Sequence, residues 1–462
     1  MRTRTAVRLT ALSSVVALLA VVAAAGARTE ARATPALSEQ AGHRDGHGHP
    51  RKGTGRLQER FLYVSTVAQS PKDPDFIAVI GANPRRPDFG KIVNRVDMPN
   101  VGDELHHYGY SHDQKRLLVP GLFSNRIHVF DIKGGGRRLT LRAVNNRLAE
   151  RSGYVVPHGV MSHGMPRGRA LVTMIGAASD TTLPGGMVEI DDRTGAFVRY
   201  FGPAPTREPG QSAPKYMYDF ESLPAANRGI STTFGSPACV GEGIEPSCLG
   251  NEVYVWNVRR QKVIQTADLG TSSGALMVHW VETRGVRRAF INTPGTSAIW
   301  LADDDDRDGR YDFQQVLGPQ DGLALPPDMI LSHDSKYLYV SNWVGNTVQQ
   351  FDITDPFRPV RKASVPVPHP NMLRLSRDNK RLYVTNSLLT PWDNDPDLGG
   401  PRNQNYGIWL IKARASGGLV PFKADGSPWV SFTNVRKKTT TGPAGPHLVL
   451  FDRRIPLAPG EH

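Results

Sequence analysis

The chain has 462 residues, enough for several ordinary domains or one long repeat fold. Its 46 glycines and 36 prolines suit many short strands joined by tight turns. The formal net charge is +13, but residues 1–60 carry ten Lys/Arg against four Asp/Glu, which accounts for six of these charges. The other charges are spread along the chain rather than gathered into a basic stripe, so the composition predicts no nucleic-acid partner.

The N-terminus has the pattern of an export signal. Three arginines among the first eight residues precede an apolar run, Leu9–Ala25, and then small residues. We therefore predict a signal peptide over residues 1–33 and an exported protein, located outside the cell or in the periplasm and cell envelope. The alternative, an uncleaved membrane anchor, needs a longer apolar run. No later stretch could cross a membrane, so we predict no membrane association after cleavage.

Residues 34–59 are polar, with three histidines interspersed: His43, His47 and His49. A segment of this composition cannot bury enough apolar surface to fold, and it is predicted to be a disordered linker. Loose metal binding by its histidines is the alternative role.

The rest of the chain repeats one strand pattern. A polar turn and a Leu/Tyr/Val-rich strand occur as Ser111–Pro120, Ser332–Ser341 and Ser376–Thr385. A further strand with alternating apolar residues and a terminal Asp follows, as in Asn125–Ile132 and Asn346–Ile353. Alternation with period two, rich in β-branched and aromatic residues, predicts β-strands rather than helices.

The spacing of the repeat predicts the number of units. Aligning the units on the turn places one anchor residue per unit near the start of an inner strand: His107, His158, Asp219, Val278, Asp328, Asn371 and His447. Successive anchors are 43 to 76 residues apart, which fits seven four-stranded blades. The last unit supplies only an inner strand, and Arg60–Ser65 copies Lys336–Ser341. Residues 60–462 are therefore predicted to be one all-β domain, a seven-bladed β-propeller closed by N- and C-terminal strands.

Histidines from three consecutive blades should meet at the mouth of the central channel of such a propeller. These are the pair His106 and His107 in blade 1, His158 in blade 2 and His447 in blade 7. Several imidazoles in one place suit copper, zinc, iron or nickel. Adjacent residues of a strand point to opposite faces, so the pair serves one site only where the strand bends or begins. A lone buried histidine bonded to a backbone carbonyl is the alternative reading for each of them.

Three other residues belong to this predicted site. His163 is a rival of His158 for the blade 2 ligand, although its repeat position matches turn residues that face outward. Glu104 is predicted to orient one imidazole, and Glu104 and Asp328 are candidates for moving protons. We assign His106, His107 and Glu104 as the catalytic candidates.

Two further motifs are predicted to be structural. Asp304, Asp306 and Asp308 have the alternating carboxylates of a calcium loop, but Gln315 stands where the bidentate Glu is expected. A solvated acidic hairpin is the alternative. Cys239 and Cys248 lie in one Gly/Pro-rich loop, and an exported protein favours a disulfide between them over a metal pair.

Several motifs resemble the selenium-binding protein / methanethiol oxidase family. They include Asp103-Glu-Leu-His-His-Tyr-Gly109, Ser341-Asn-Trp343 and Asp352-Ile-Thr-Asp-Pro-Phe-Arg-Pro359, and the likeness runs from about Phe61 to Phe451. The resemblance implies a seven-bladed β-propeller that uses copper to oxidise methanethiol with O2 and water, giving formaldehyde, hydrogen sulfide and hydrogen peroxide. It places the copper ligands at His106, His107, the His158/His163 segment and His447. Its partners are then a small thiol and O2.

The chain departs from the family pattern at three places. Gly90 stands where animal members have the cysteine credited with selenium binding, Gly164 replaces another frequent cysteine, and Leu448 replaces the glutamate that follows the C-terminal histidine. Two other functions compete with the oxidase: a non-catalytic selenium- or metal-binding or scaffold propeller, and a calcium-dependent lactonase-like hydrolase. The hydrolase needs Glu, Asp and Asn at the channel mouth, where this chain has mainly His. The oligomeric state is not predicted.

Overall fold

The structure, a computed structural model, describes residues 59–177, 184–205, 214–242, 246–281, 283, 285–395, 405–435 and 442–452. The predicted signal peptide and all but the last residue of the predicted linker lie outside these residues. Within the described part of the chain, no helix has the length and apolar character needed to span a membrane.

The described strands form seven antiparallel sheets arranged as the blades of a β-propeller. The chain begins with β1 (Phe61–Ala68), β2 (Phe76–Gly81) and β3 (Ile92–Asp97). Blade 1 contains β4 (Gly109–Tyr110), β5 (Arg116–Gly121), β6 (Arg126–Lys133) and β7 (Arg138–Asn145). Blade 2 contains β8 (Tyr154–Met161), β9 (Arg169–Ala177), β10 (Gly186–Asp191) and β11 (Phe197–Phe201). Blade 3 contains β12 (Phe220–Leu223), β13 (Arg228–Thr232), β14 (Glu252–Asn257) and β15 (Lys262–Asp268).

Blade 4 contains β16 (Val278–Trp280), β17 (Arg288–Thr293), β18 (Ala298–Asp303) and β19 (Asp312–Leu317). Blade 5 contains β20 (Met329–Leu331), β21 (Tyr337–Asn342), β22 (Thr347–Asp352) and β23 (Val360–Pro366). Blade 6 contains β24 (Leu373–Leu375), β25 (Arg381–Thr385), β26 (Gly407–Ala413), β27 (Leu419–Pro421) and β28 (Val430–Ser431), which also pairs with β26. The chain returns to blade 7 with β29 (Ala444–Phe451).

The helices of the described residues are short. Three are α-helical: α1 (Leu148–Ser152), α2 (Pro237–Glu242) and α3 (Thr390–Asp393). The 3-10 turns are Gly134–Gly136, Pro224–Ala226, Pro246–Cys248, Pro294–Thr296 and Pro319–Asp321. The helices α2 and α3 lie in loops that border the site formed by the channel histidines.

Both ends of the domain build blade 7, in the order β29-β1-β2-β3. Tyr63 of β1 pairs with Leu450 of β29, and a carboxylate oxygen of Asp452 accepts the backbone N–H groups of Arg60 and Phe61 at 2.9 Å. The predicted fold and its closure by both terminal strands are confirmed. The pairing of β29 with β1 joins the two ends of the domain within one sheet.

The inner strands of blades 2 to 7 share a β-bulge, which lies just before the strand in blades 3 to 6 and within it in blades 2 and 7. In blade 3, Tyr218 donates its N–H to the carbonyl of Thr232 at 2.9 Å, and Thr232 donates its N–H to the carbonyl of Asp219 at 3.0 Å. Two residues therefore oppose one, which bends the strand and turns the side chain of the first bulge residue. We call that first residue the ring position. In blades 2 to 7 it is occupied by His158, Tyr218, Leu276, Pro327, Asn371 and His447.

Blade 1 differs in detail but has the same extra residue. Between the Leu105↔Gly121 bridge and the Gly109↔Leu118 pair, three residues, 106–108, oppose two, 119 and 120. The ring position of blade 1 is therefore the pair His106 and His107. Alignment of the repeats predicts Asp219, Val278 and Asp328 at this height, but the hydrogen bonds move the ring position one or two residues earlier in those blades.

Second-strand side chains connect neighbouring blades at this level. In blade 2, Thr173 Oγ1 accepts the N–H of Gly159 at 2.8 Å and donates to the carbonyl of Tyr218 in blade 3 at 2.7 Å. Four more side chains likewise accept an N–H of their own blade and donate to a carbonyl of the next blade: Ser65, Thr232, Asn292 and Thr385. These five bridging side chains bond the backbone of two blades at once, so they fix the ring positions relative to one another.

Candidate metal centre

The two adjacent histidines of blade 1 face one site because they lie in the irregular segment before β4, not in a regular strand. The rings of His106 and His107 stack with centroids 4.7 Å apart and an interplanar angle of 10°. Glu104, two residues earlier, has a φ of 52°, in the left-handed region that non-glycine residues rarely adopt. The backbone therefore bends just before the pair, so the side chains of His106 and His107 can face the same site.

His158 and His447 occupy equivalent ring positions in blades 2 and 7. The Nδ1 atom of His158 lies 2.8 Å from the carbonyl oxygen of Tyr218, and that of His447 lies 2.9 Å from the carbonyl oxygen of Ser387. A carbonyl can only accept, so Nδ1 of His158 carries the proton and its Nε2 carries the lone pair that a metal would use. Nδ1 of His447 also lies 3.1 Å from the amide nitrogen of Asn371, and its shorter contact with the Ser387 carbonyl favours the same tautomer. Nε2 of His447 is buried and has no hydrogen-bond partner among the described residues.

The four imidazoles form one buried cluster. One ligand nitrogen from each of His106, His107 and His158 lies within 4.8 Å of the others. His447 is not part of that group of three, but its ring stacks on that of His106 with centroids 3.8 Å apart, and its centroid is 5.2 Å from that of His107. The side chains come from blades 1, 2 and 7, so residues from both ends of the domain share one site.

Burial keeps the imidazoles of His106 and His447 neutral, the form that binds metals. Burial, reinforced by the neighbouring rings of His447, His107 and His158, lowers the pKa of His106 well below its usual range. Burial also lowers the pKa of His447 to about 4, although its backbone hydrogen bonds act in the opposite direction. A cluster of neutral imidazole nitrogens without solvent suits a transition metal.

The structure separates His158 from its rival. His158 is fully buried in the cluster, whereas His163 is exposed in the turn after β8 and is not in the group of converging ligand atoms. Glu104 is buried beside the histidine pair, and one of its carboxylate oxygens accepts the N–H of Thr390 at 2.8 Å. Burial raises the pKa of Glu104 to about 8. The structure thus connects Glu104 to the loop that contains α3.

Sequence reasoning missed the residues that hold the histidines in place. Ser65 donates to the carbonyl of His106 at 3.1 Å and accepts the N–H of Leu448, next to His447, at 3.0 Å. Asp75 accepts the N–H of Leu105 at 3.1 Å and that of Ala68 at 2.9 Å. Serine and aspartate are common at strand ends, and their partners lie on other strands, so no local pattern identifies them.

A second polar group lies along the channel, three residues beyond the ring position of blades 3 and 4. Nδ1 of His279 is 2.7 Å from Glu221, and its Nε2 is 4.0 Å from Asp328. Burial alone would lower the pKa of His279, but the charge and hydrogen bond of Glu221, with the nearby charge of Asp328, outweigh burial and raise that pKa to about 10. One cavity is lined by both His107 and His279. Asp328 also accepts the N–H of Leu373 at 2.7 Å, which connects blades 5 and 6.

The two motifs predicted to be structural lie elsewhere. Carboxylate oxygens of Asp304, Asp306 and Asp308 come within 4.8 Å of one another between β18 and β19, and Arg287 pairs with Asp304 at 3.0 Å. Asp304 is buried and the other two carboxylates are exposed. Cys239 and Cys248 form a disulfide that closes the loop containing α2.

Comparison with known proteins identifies the family. Residues 43–449 match the family model described as 56kDa selenium binding protein (SBP56), so the chain belongs to the SBP56 selenium-binding protein family. A relative in Danio rerio named methanethiol oxidase is 30% identical over 394 residues, which are 74% of this chain and 83% of that protein.

Solved structures agree with the fold. A hypothetical selenium-binding protein from Sulfolobus tokodaii superposes with a TM-score of 0.72 at 26% identity, over 86% of this chain and 94% of the other. The periplasmic gluconolactonase of Pseudomonas aeruginosa superposes with a TM-score of 0.57 at 13% identity, over 85% of this chain and 99% of the other. The second similarity concerns the fold alone.

Proposed function

We propose that this chain is a copper-dependent methanethiol oxidase. The observation that carries the proposal is the buried cluster of His106, His107, His158 and His447 at the ring positions of three consecutive blades. The family and the name of the Danio rerio relative supply the reaction class. The reaction consumes methanethiol, O2 and water and releases formaldehyde, hydrogen sulfide and hydrogen peroxide.

The donor set fits copper. Copper is held well by imidazole nitrogen and stands highest in the affinity order of divalent first-row metals. Nε2 of His158 and Nε2 of His447 are the donor nitrogens of these two rings, since each Nδ1 donates to a backbone carbonyl. Bound copper would supply the electron transfer between the thiol and O2.

The protein's own residues prepare the site. The bridging side chains Ser65 and Thr173 fix the backbone on both sides of the cluster, so the imidazoles are held before any metal binds. Burial excludes water from the rings. Glu104 is the group we propose for proton transfer next to the pair, because a carboxyl with a pKa of about 8 can both hold and release a proton near neutral pH.

Oxygen-dependent loss of methanethiol tests the proposal. Copper-loaded wild type should consume methanethiol, His107→Ala should lose at least about a hundredfold in rate, and His163→Ala should stay within about twofold of wild type. Copper analysis of each variant accompanies the assay. Equal rates for wild type and His107→Ala would remove the cluster from the mechanism.

The competing functions have less support. Asp219 and Asp328 already accept backbone N–H groups of the next blade, and Glu221 pairs with His279, so these carboxylates are engaged as connections between blades. A calcium hydrolase would need such groups free at the channel mouth. A metal-free scaffold would leave a buried Nε2 of His447 without a partner among the described residues, which is unfavourable.

Selenium binding by a thiol is not part of the proposal. The chain has two cysteines, and the structure pairs them in one disulfide. At Gly90, φ is +75° and a Cβ would lie 2.9 Å from Trp429 Nε1, so a cysteine there would be strained.

We also propose that the chain is exported, on the strength of its N-terminal pattern and of a disulfide that an oxidising compartment favours. Fractionation of cells expressing the full chain, with a mass measurement of the mature N-terminus, tests this proposal. An intact N-terminus in the cytoplasmic fraction would contradict it.

A further inference from the structure

An apolar cavity adjoins the histidine cluster on the side of blades 3 to 5. His106 is one of its walls, and the ring positions of these three blades form another: Tyr218, Leu276 and Pro327. The ring around the channel is therefore divided into two arcs. Blades 7, 1 and 2 contribute imidazoles, and blades 3, 4 and 5 contribute apolar or aromatic side chains at equivalent backbone positions. Asn371 of blade 6 belongs to neither arc.

Two loops cover the cavity. One contains α3 and contributes Leu388, Leu389 and Trp392, and the other contains α2 and contributes Val240. The loops meet where the rings of Phe234 and Trp392 approach to 5.9 Å. All of these apolar side chains are buried.

Both covering loops are anchored. The carboxylate of Asp393 accepts the N–H of Leu388 at 3.0 Å, and Glu104 accepts the N–H of Thr390 at 2.8 Å. The loop of Val240 is closed by the Cys239–Cys248 disulfide. Glu104 belongs to the same segment as the histidine pair, so the cover and the metal ligands are held by one set of contacts.

The lining decides what the cavity accepts. The described residues that line it include no Asp, Glu, Lys or Arg, and apart from the imidazole of His106 their side chains are apolar or aromatic. Burying an unpaired ammonium or carboxylate group against such walls is strongly unfavourable, whereas burying a methylene there is favourable. A short alkyl group fits this environment, and a charged thiol such as cysteine does not.

We infer that this cavity binds the alkyl group of the thiol, and that Leu276 and Trp392 limit its length. The inference rests on the proposed oxidase function and adds to it the residues that limit the alkyl length of the thiol. In this arrangement the alkyl group lies against the apolar arc and the sulfur faces the imidazole of His106.

Enlarging the cavity tests the inference. Leu276→Ala should raise the ratio of kcat/KM for propane-1-thiol to that for methanethiol by about tenfold or more, since one methylene in an apolar pocket changes specificity by roughly 10–200-fold. Leu276→Phe should lower the same ratio. Leu331→Ala, a buried leucine of β20 outside the cavity, is the matched control and should leave the ratio unchanged.

The outcomes separate this inference from the proposed function. Oxidation of methanethiol by wild type with an unchanged ratio in both Leu276 variants overturns the inference and leaves the oxidase function intact. If wild type oxidises no thiol, the oxidase function fails, and binding of dipropyl sulfide to the metal-free protein, followed by thermal shift, decides the inference. Leu276→Ala should then bind this thioether about tenfold more tightly than wild type, and equal binding would overturn the inference.

Discussion

The two arcs of the channel ring are built on one backbone arrangement and differ in their side chains. In blade 2, Thr173 fixes the bulge of His158, and in blade 3, Thr232 fixes the bulge of Tyr218 with the same two kinds of hydrogen bond. The repeat therefore supplies the framework, a side chain turned towards the channel at a fixed height. On the proposed function, what each blade places at that position decides whether the arc holds a metal or packs against an alkyl group.

Removing equivalent hydroxyls from the two arcs should have equal effects on stability and unequal effects on the metal. Thr173→Val and Thr232→Val each remove the acceptor of one backbone N–H and one donor to a carbonyl of the next blade, which costs about 1–3 kcal/mol. Only Thr173→Val also disturbs the carbonyl of Tyr218 that orients His158, so it should lower copper affinity by about tenfold or more. Chelator competition and thermal denaturation measure the two effects. Similar copper affinities in both variants would contradict the proposed difference between the two arcs.

In blades 3 and 4, charged groups lie three residues beyond the ring position: Glu221 and His279. Their interaction should affect the pH dependence of the free energy of unfolding. The pKa of His279 is about 10 in the folded state, above its ordinary value of 6.5. The stabilisation of the fold by charged His279 is complete below pH 6.5, because the imidazole is then charged in both the folded and the unfolded state. It is lost as the pH rises through about 10.

Unfolding of wild type and His279→Gln at pH 7 and pH 10 measures this contribution. The unfolding free energy of wild type should fall by a few kcal/mol more than that of His279→Gln over this range. A parallel pH dependence in the two proteins would show that Glu221 and Asp328 do not hold a charged imidazole.

The smallest effect is expected at the acidic loop of blade 4, outside the ring. If Asp304, Asp306 and Asp308 bind calcium, millimolar calcium should raise the Tm by about 1–2 °C. Asp306→Asn should abolish that shift and leave thiol oxidation unchanged, because the loop carries no residue of the cluster. No shift in wild type, or the same shift in Asp306→Asn, would favour the solvated hairpin.

Much of the fold is predictable because each repeat has a recognisable local sequence pattern. Alternating strands and the copy of Lys336–Ser341 at Arg60–Ser65 are enough to predict seven blades and their closure by both termini. Closure is also why the sequence alone predicts that His447 lies near His107. The order of the repeat units along the chain predicts which blade contains each histidine.

The finer geometry of the site is not predictable in this way. Alignment of the repeats predicts Asp219 at the height of the histidines, but the bulge puts Tyr218 there, and bulges have no sequence signature of their own. Thr173 and Ser65 act on residues of other strands and blades, so nothing nearby in the sequence marks them. The apolar cavity depends on loops from blades 3 and 6 that meet only in the folded chain.

The central claim is that one copper ion is held by imidazoles from both ends of the domain, and the ligand contributed by β29 tests it most directly. Pulsed EPR of the copper(II)-loaded protein counts the bound imidazole nitrogens, with wild type compared with His447→Ala and, as a control, His163→Ala. We expect His447→Ala to lose one coordinated imidazole and His163→Ala to match wild type. An unchanged spectrum in His447→Ala would contradict the account.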